Sequence, residues 1–187
     1  MNSINKLRKI YHLKHVERMN SVLKRKESSA EHSWSCLILA DYFLSQMNED
    51  IDRLKVYELL MYHDVIEIEA GDIPIHHVEE RKNKKEKEQK AFVKIKENFP
   101  EELKEKFSKL FEEFEEQKTK EAKFARAVDR LDALIHEMDY KVDWKEWTEE
   151  MVRRFYQEEI KDFPIIKEAF EKILKYVVKE GYYDQAA

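Results

Sequence analysis

At 187 residues the chain has the length of about one domain. A hydrophobic fraction of 42% is enough to build a core, and a charged fraction of 40%, against about 25% in a typical domain, implies long solvated faces rather than disorder. A net charge of −5, with Lys and Arg interleaved among Glu, excludes bulk attraction to nucleic acid polymers, and no apolar run reaches the ~18 residues that would point to a membrane span. Only two glycines and three prolines occur, so hairpin turn chemistry is scarce, while Lys, Glu, Leu and Ala favour helices. The expectation is an all-α, single-domain helical bundle over residues 1–187. The one cysteine, Cys36, has no internal disulfide partner, and residues 1–20 lack the apolar stretch of a signal peptide, which points to the cytoplasm.

In chain order, Leu7, Ile10, Tyr11, Leu13 and Val16 form an imperfect apolar stripe that predicts a first helix over residues 4–23. Ser28 followed three residues later by Glu31 is a capping box, so a second helix should start there and run to about Met47. A third starts near Asp50 or Asp52 and continues through Leu59 and Leu60 to Gly71, a residue suited to the left-handed position past a helix end, with Pro74 beyond it. Residues 79–98 read as a solvated helix with Ala91, Phe92 and Ile95 on its buried side, and Pro100 marks the next boundary. Further helices are expected over residues 101–117, 119–142, 147–160 and 164–179, closed by Gly181. Trp34, Trp144 and Trp147 are expected in the core, and the neighbours His76 and His77 in an exposed loop.

The functional signal lies in polar residues that interrupt apolar stripes. On the second helix the buried face Cys36, Leu39, Ala40, Phe43 extends back by four residues to His32. One such histidine is ordinarily a core residue with a backbone partner. On the third helix, however, Leu59 and Leu60 lie four residues before the adjacent pair His63 and Asp64, with Glu67 following. Later, Phe124, Ala125 and Val128 lead into Asp129, with Asp132 one turn on. Burying unpaired carboxylates costs several kcal/mol unless a cation or partner compensates them. Ion pairs to Arg126 or Arg130 are one solution, and a metal ion is the other. Two imidazoles and two carboxylates, His32, His63, Asp64 and Asp129, make a mixed N/O set for a single Mn, Fe, Co, Ni or Zn ion, with Mg less comfortable. Four protein ligands leave positions open for water and substrate, which favours hydrolysis over a structural role. A di-iron bundle would need Glu-x-x-His words, and the chain has none.

The words Ser29-Ala30-Glu31-His32-Ser33, Tyr62-His63-Asp64-Val65-Ile66-Glu67, Gly71-Asp72-Ile73-Pro74 and Asp129-Arg130-Leu131-Asp132 occur in order. Together they resemble the HD superfamily of metal phosphohydrolases, and within it the HD-domain 5′-deoxynucleotidases, over about residues 13–140; the helices over 143–181 would pack on that part. The resemblance implies a helical, dimeric enzyme that removes phosphate from nucleoside 5′-monophosphates. It implies that Arg18, in Leu13-Lys14-His15-Val16-Glu17-Arg18, contacts the phosphate, and that Glu67 handles the water or the leaving oxygen. Asp72 would meet the sugar hydroxyl or order its loop. Glu88, in a Glu-x-x-Ala word with Ala91, and Asp132 would lie on the substrate side. Where relatives carry an aromatic residue soon after the arginine, this chain has Met19, Asn20, Ser21 and Val22. Within the hydrolases, a pyrophosphohydrolase or a phosphodiesterase is the alternative; a metal-stabilised helical binding module is the non-enzymatic one.

Overall fold

The structure, a computed structural model, describes residues 2–183. The ends of the expected domain, Met1 and residues 184–187, lie outside the described residues. The all-α expectation is borne out, with one small addition. The chain runs α1 (Asn2–Ile10), a 3₁₀ turn (Tyr11–His15), β1 (Glu17–Val22), β2 (Arg25–Ser28), α2 (Ser29–Leu44), α3 (Arg53–Tyr62), α4 (Glu67–Ala70) and α5 (Val78–Arg81). It continues through α6 (Lys84–Asn98), α7 (Glu101–Glu116), α8 (Lys120–Glu137), a second 3₁₀ turn (Lys141–Trp144), α9 (Glu149–Ile160) and α10 (Pro164–Lys179).

Helix starts follow from side-chain caps. Ser28 Oγ accepts from the Glu31 amide while the Glu31 carboxylate accepts from the Ser28 amide, which completes the capping box of α2. Asp52, Thr119 and Thr148 cap α3, α8 and α9 with the side-chain bond alone, and Pro164 occupies the first turn of α10, where its missing N–H costs nothing. α8 is the central rod: α2, α3, α7, α9 and α10 all pack on it. Phe124, Ala125, Ala127, Val128 and Leu131 of α8 are fully buried against this ring. Each Leu, Val or Phe so buried contributes about 1.5–3 kcal/mol, whereas each exposed Lys–Glu pair on the outer faces contributes about 0–1 kcal/mol. The stripes therefore decide the fold, and the charge runs keep its surface solvated.

The largest correction falls on the first helix. It stops at Ile10, and residues 17–28 form an antiparallel ribbon in which Glu17 pairs with Ser28, Ser21 with Lys26 and Val22 with Arg25. The turn is made without glycine, by Leu23 at φ +54°, a strained setting for a leucine. Tertiary contacts hold the ribbon in place. The Ser21 amide and hydroxyl both donate to Asp143 at 2.7 Å, His136 Nε2 donates to the Ser21 carbonyl at 2.8 Å, and the Leu23 amide donates to the Tyr140 hydroxyl at 3.1 Å.

Other boundaries move less. α2 ends at Leu44, short of Met47, and α8 ends at Glu137, with Val142 in the following 3₁₀ turn. The expected third helix gives way after Tyr62 to a tight turn with i→i+3 bonds, Val65 N to Tyr62 O and Glu67 N to Asp64 O, before α4 resumes and Gly71 takes φ +73°. The segment over 79–98 divides into α5 and α6. Trp144 and Trp147 are buried as expected, but Trp34 is 66% exposed on the outer face of α2. His76 and His77 are half-buried rather than open to solvent.

Candidate active site

Three helices bring the polar interruptions together. His32 comes from the first turn of α2, His63 and Asp64 from the tight turn after α3, and Asp129 from the middle of α8; all four are buried. His63 Nε2 lies 3.2 Å from Asp64 Oδ1 and 3.9 Å from Asp129 Oδ1. His32 Nε2 lies 3.1 Å from Asp129 Oδ1 and 4.0 Å from Asp64 Oδ2.

The outer nitrogens are already committed. His63 Nδ1–H donates to the Leu60 carbonyl at 2.8 Å, which fixes the tautomer and leaves a lone pair on Nε2; His32 Nδ1–H donates to Asp132 Oδ2, also at 2.8 Å. Both Nε2 atoms therefore face the two carboxylates. His63 Nε2 and Asp64 Oδ2 are buried with no hydrogen-bond partner. Two imidazole Nε2 atoms and the carboxylate oxygens of Asp64 and Asp129 converge, two of these atoms orphaned, and this is a donor set that fits a divalent cation. Desolvation and Arg18 oppose protonation of His32, yet Cys36 and the bonds to Asp129 and Asp132 outweigh them and raise it well above an ordinary histidine. Desolvation holds His63 below its ordinary value, in the neutral ligand form.

The ion-pair alternative is also present in part. Arg126 and Arg130 approach Asp129 Oδ2 at 3.5 and 3.6 Å, and although burial disfavours the charge, Arg130 and His32 hold this carboxyl well below its usual range. They occupy Oδ2 and leave Oδ1 to the histidines. Cys36 joins His32 and His63 in a buried ligand-capable group. Its sulfur lies 3.6 and 3.7 Å from the two ring nitrogens of His32, against the ring and off the Nε2 lone-pair direction, and burial pushes the thiol far up. This is the geometry of packing.

Beside the cluster opens a cleft of about 710 Å³, counting space open to solvent, lined by Arg18, Asp64, Glu67, Asp72 and Asp129 among others. Arg18, expected on a helix, is presented by β1: its guanidinium lies 3.5 Å from Asp64 Oδ2 and 3.2 Å from Glu27 Oε2. Glu67 Oε2 accepts from Ser29 Oγ at 2.6 Å. Burial, reinforced by Asp64 and Asp72 and opposed by Arg18 and Ser29, raises Glu67 well above an ordinary glutamate. Asp72 is raised likewise, by burial first and Asp64 next, against Arg18. Asp132 is taken up by His32 and Glu88 by Lys84 at 2.7 Å, and neither lines the cleft.

Four cations on the cleft wall, Arg81, Lys84, Arg126 and Arg130, were not singled out as ligands of an anion from sequence. The first two sit in the Lys/Glu-rich stretch, where a solvated face is the ordinary reading. Arg126 and Arg130 carried a usable signal, because they stand three residues before and one after Asp129.

Comparison with known proteins places this arrangement. Residues 10–173 match the HD domain family. The 5′-deoxynucleotidase HDDC2 of Bos taurus is 27% identical over 143 residues, covering 75% of this chain and 68% of that protein. Its Mus musculus counterpart is 26% identical over 138 residues, covering 72% and 68%. Among solved structures, a predicted metal-dependent phosphohydrolase from Magnetospirillum magnetotacticum superposes with a TM-score of 0.87 at 28% identity, covering 97% of this chain and 94% of that one. Among the described residues, no helix is long and apolar enough to cross a membrane.

Proposed function

Given that the chain belongs to the HD-domain family and is a metal-dependent phosphohydrolase, we propose that it is a phosphomonoesterase acting on nucleoside 5′-monophosphates, deoxyribonucleotides among them. The products are nucleoside and inorganic phosphate. The observation that carries this reading is Arg18 facing the same cleft as the ligand cluster, its guanidinium 3.5 Å from Asp64. A planar, permanently charged fork is suited to a terminal phosphate, and the relatives' name supplies the substrate class.

His32, His63, Asp64 and Asp129 would hold one divalent ion, with a mixed N/O set suited to Mn, Fe, Co, Ni or Zn over Mg. When bound, such an ion polarises the phosphoryl group and activates water. The chain's own residues do the rest. Asp132 fixes the His32 ring by accepting from Nδ1. Arg18 binds non-bridging phosphate oxygens and neutralises charge as water adds to phosphorus, aided by Arg126, Arg130 and Lys84 on the wall. Glu67, held by burial well above the usual carboxylate range and with Oε2 engaged by Ser29, delivers a proton from Oε1 to the departing sugar oxygen. Asp72 meets the sugar hydroxyl. Glu88 acts at one remove, by tethering Lys84.

The test is a panel of 5′- and 3′-nucleoside monophosphates. The 5′ esters should be preferred, and Arg18→Ala should raise KM for them by about 10- to 100-fold, the loss of a charge-assisted contact of about 1.5–3 kcal/mol. Indifference to phosphate position would reject the nucleotidase reading and leave the phosphohydrolase standing.

The proposed enzyme is a homodimer of a reducing, cytoplasmic compartment. Trp34, Ile38 and Tyr42, at i, i+4 and i+8 on α2, are 66, 56 and 60% exposed and form one outward apolar stripe. Sedimentation should therefore report twice the 22.8 kDa chain mass, and Ile38→Glu should shift it to a single chain with the fold intact. A monomeric wild type would remove this part of the proposal.

A further inference from the structure

One buried carboxyl faces the cleft and has no part in the chemistry above. Glu137, on the last turn of α8, is only 7% exposed. Its Oε1 accepts from Asn20 Nδ2 of β1 at 2.8 Å, while Oε2 is buried with no partner, and the residue lines the cleft. A buried polar atom left unpaired is rare in native proteins and calls for a specific reason. Its backbone carbonyl accepts from Trp144 Nε1 at 2.9 Å, so the helix end that carries it is held in place.

Position along α8 gives that reason. Asp129, Ala133 and Glu137 stand at i, i+4 and i+8, and all three line the cleft. At about 1.5 Å rise per residue they span roughly 12 Å. At one end Asp129 belongs to the ligand cluster. In the middle Ala133 offers only a methyl group, leaving a floor over which a substrate can lie. At the far end Glu137 lines the cleft together with Met19 and Trp147, its buried Oε2 without a partner. A phosphate at the ligand end uses the first few ångströms of this slot and leaves its remainder to the pentose and base.

We infer that Glu137, positioned by Asn20, is a substrate-binding residue whose Oε2 hydrogen-bonds the nucleoside part of the substrate and makes the enzyme select nucleotides over other phosphate esters. This rests on the nucleotidase reading. Burial, together with Asp143 and Glu27, pushes the Glu137 carboxyl up to about 8 against the pull of Arg18 and Asn20. Near neutral pH its free oxygen therefore carries a proton to donate as well as lone pairs to accept.

The experiment compares kcat/KM for a 2′-deoxynucleoside 5′-monophosphate, 2-deoxyribose 5-phosphate and p-nitrophenyl phosphate. In Glu137→Ala the ratio of nucleotide to p-nitrophenyl phosphate turnover should fall by about 10- to 100-fold, through KM rather than kcat. Glu137→Gln, which keeps the length and a hydrogen-bonding end, should hold the ratio within about 3-fold of wild type. Glu137→Met keeps the volume without the hydrogen bond and replaces the alanine variant if that chain does not fold. A loss shared by 2-deoxyribose 5-phosphate places the contact on the sugar, and a loss confined to the nucleotide places it on the base; either supports the inference. An unchanged ratio while wild type hydrolyses nucleotides overturns it alone, whereas a wild type active only on p-nitrophenyl phosphate overturns the nucleotidase reading and this inference with it.

Discussion

Asp64→Ala is expected to yield a folded protein that has lost both its metal and its turnover. Asp64 is buried, its Oδ2 has no hydrogen-bond partner, and it faces the Nε2 atoms of both His32 and His63. Removing it takes one of four proposed ligands and leaves the other three around an incomplete site. Electrophilic assistance by a metal is worth several kcal/mol, so kcat/KM should drop by about 10³-fold or more. Elemental analysis should give about one divalent ion per wild-type chain and close to none in the variant. The fold should persist, because Arg18 keeps Glu27 as its partner at 3.2 Å and the core around α8 is untouched. Asp64→Asn, which keeps the shape, separates loss of the ligand charge from loss of packing. Full activity in chelator-stripped wild type would sink the metal assignment.

Glu67→Gln should separate the proton from the metal. Glu67 lines the cleft but is none of the four proposed ligands, so the variant should retain about one ion per chain and bind phosphate through an unaltered Arg18. What it loses is the ability to give up a proton. General acid catalysis contributes about 10²- to 10⁴-fold, and the loss should appear in kcat with KM nearly unchanged. The sign of the pH effect follows from the direction of the shift. Burial, with Asp64 and Asp72, raises Glu67, so its acid form is present through the lower part of the range and lost as pH rises past the raised value. Wild type should therefore show an alkaline decline in kcat that the Gln variant lacks. Unchanged kcat in the variant would dismiss Glu67 as the acid while leaving the metal site in place.

The helices were legible because their signals are local. The Ser28–Glu31 box, the Thr119 cap and Pro164 each act within one turn, and each marks a helix start in the structure. The gathering of His32, His63, Asp64 and Asp129 was legible for a related reason: each ends an apolar stripe, and stripes that pack on a common rod bring their ends together. The ribbon of residues 17–28 was not legible. Its turn uses Leu23 in place of glycine or asparagine, and its anchors, Asp143, His136 and Tyr140, lie more than a hundred residues away in sequence. No window of a dozen residues contains that information. The tight turn at 63–66 was missed for the opposite reason. It enters with helical backbone angles, −56° and −42° at His63, and shows itself in the i→i+3 spacing of its hydrogen bonds. Glu137 reads locally as an acid near a helix end, and only the docking of Asn20 from the ribbon shows it to be enclosed.

That ribbon has a consequence for how such an enzyme can diversify. The four proposed ligands ride on packed helices and the turn after α3, where a change of one methylene disturbs a dense interior. Arg18, Met19 and Asn20 ride on a two-stranded flap whose register with α8 depends on a few polar anchors. Substitutions at Met19 and Asn20 would therefore retune which alcohol is accepted, while Arg18 on the same strand keeps its place beside Asp64 and the helices keep the proposed ligands.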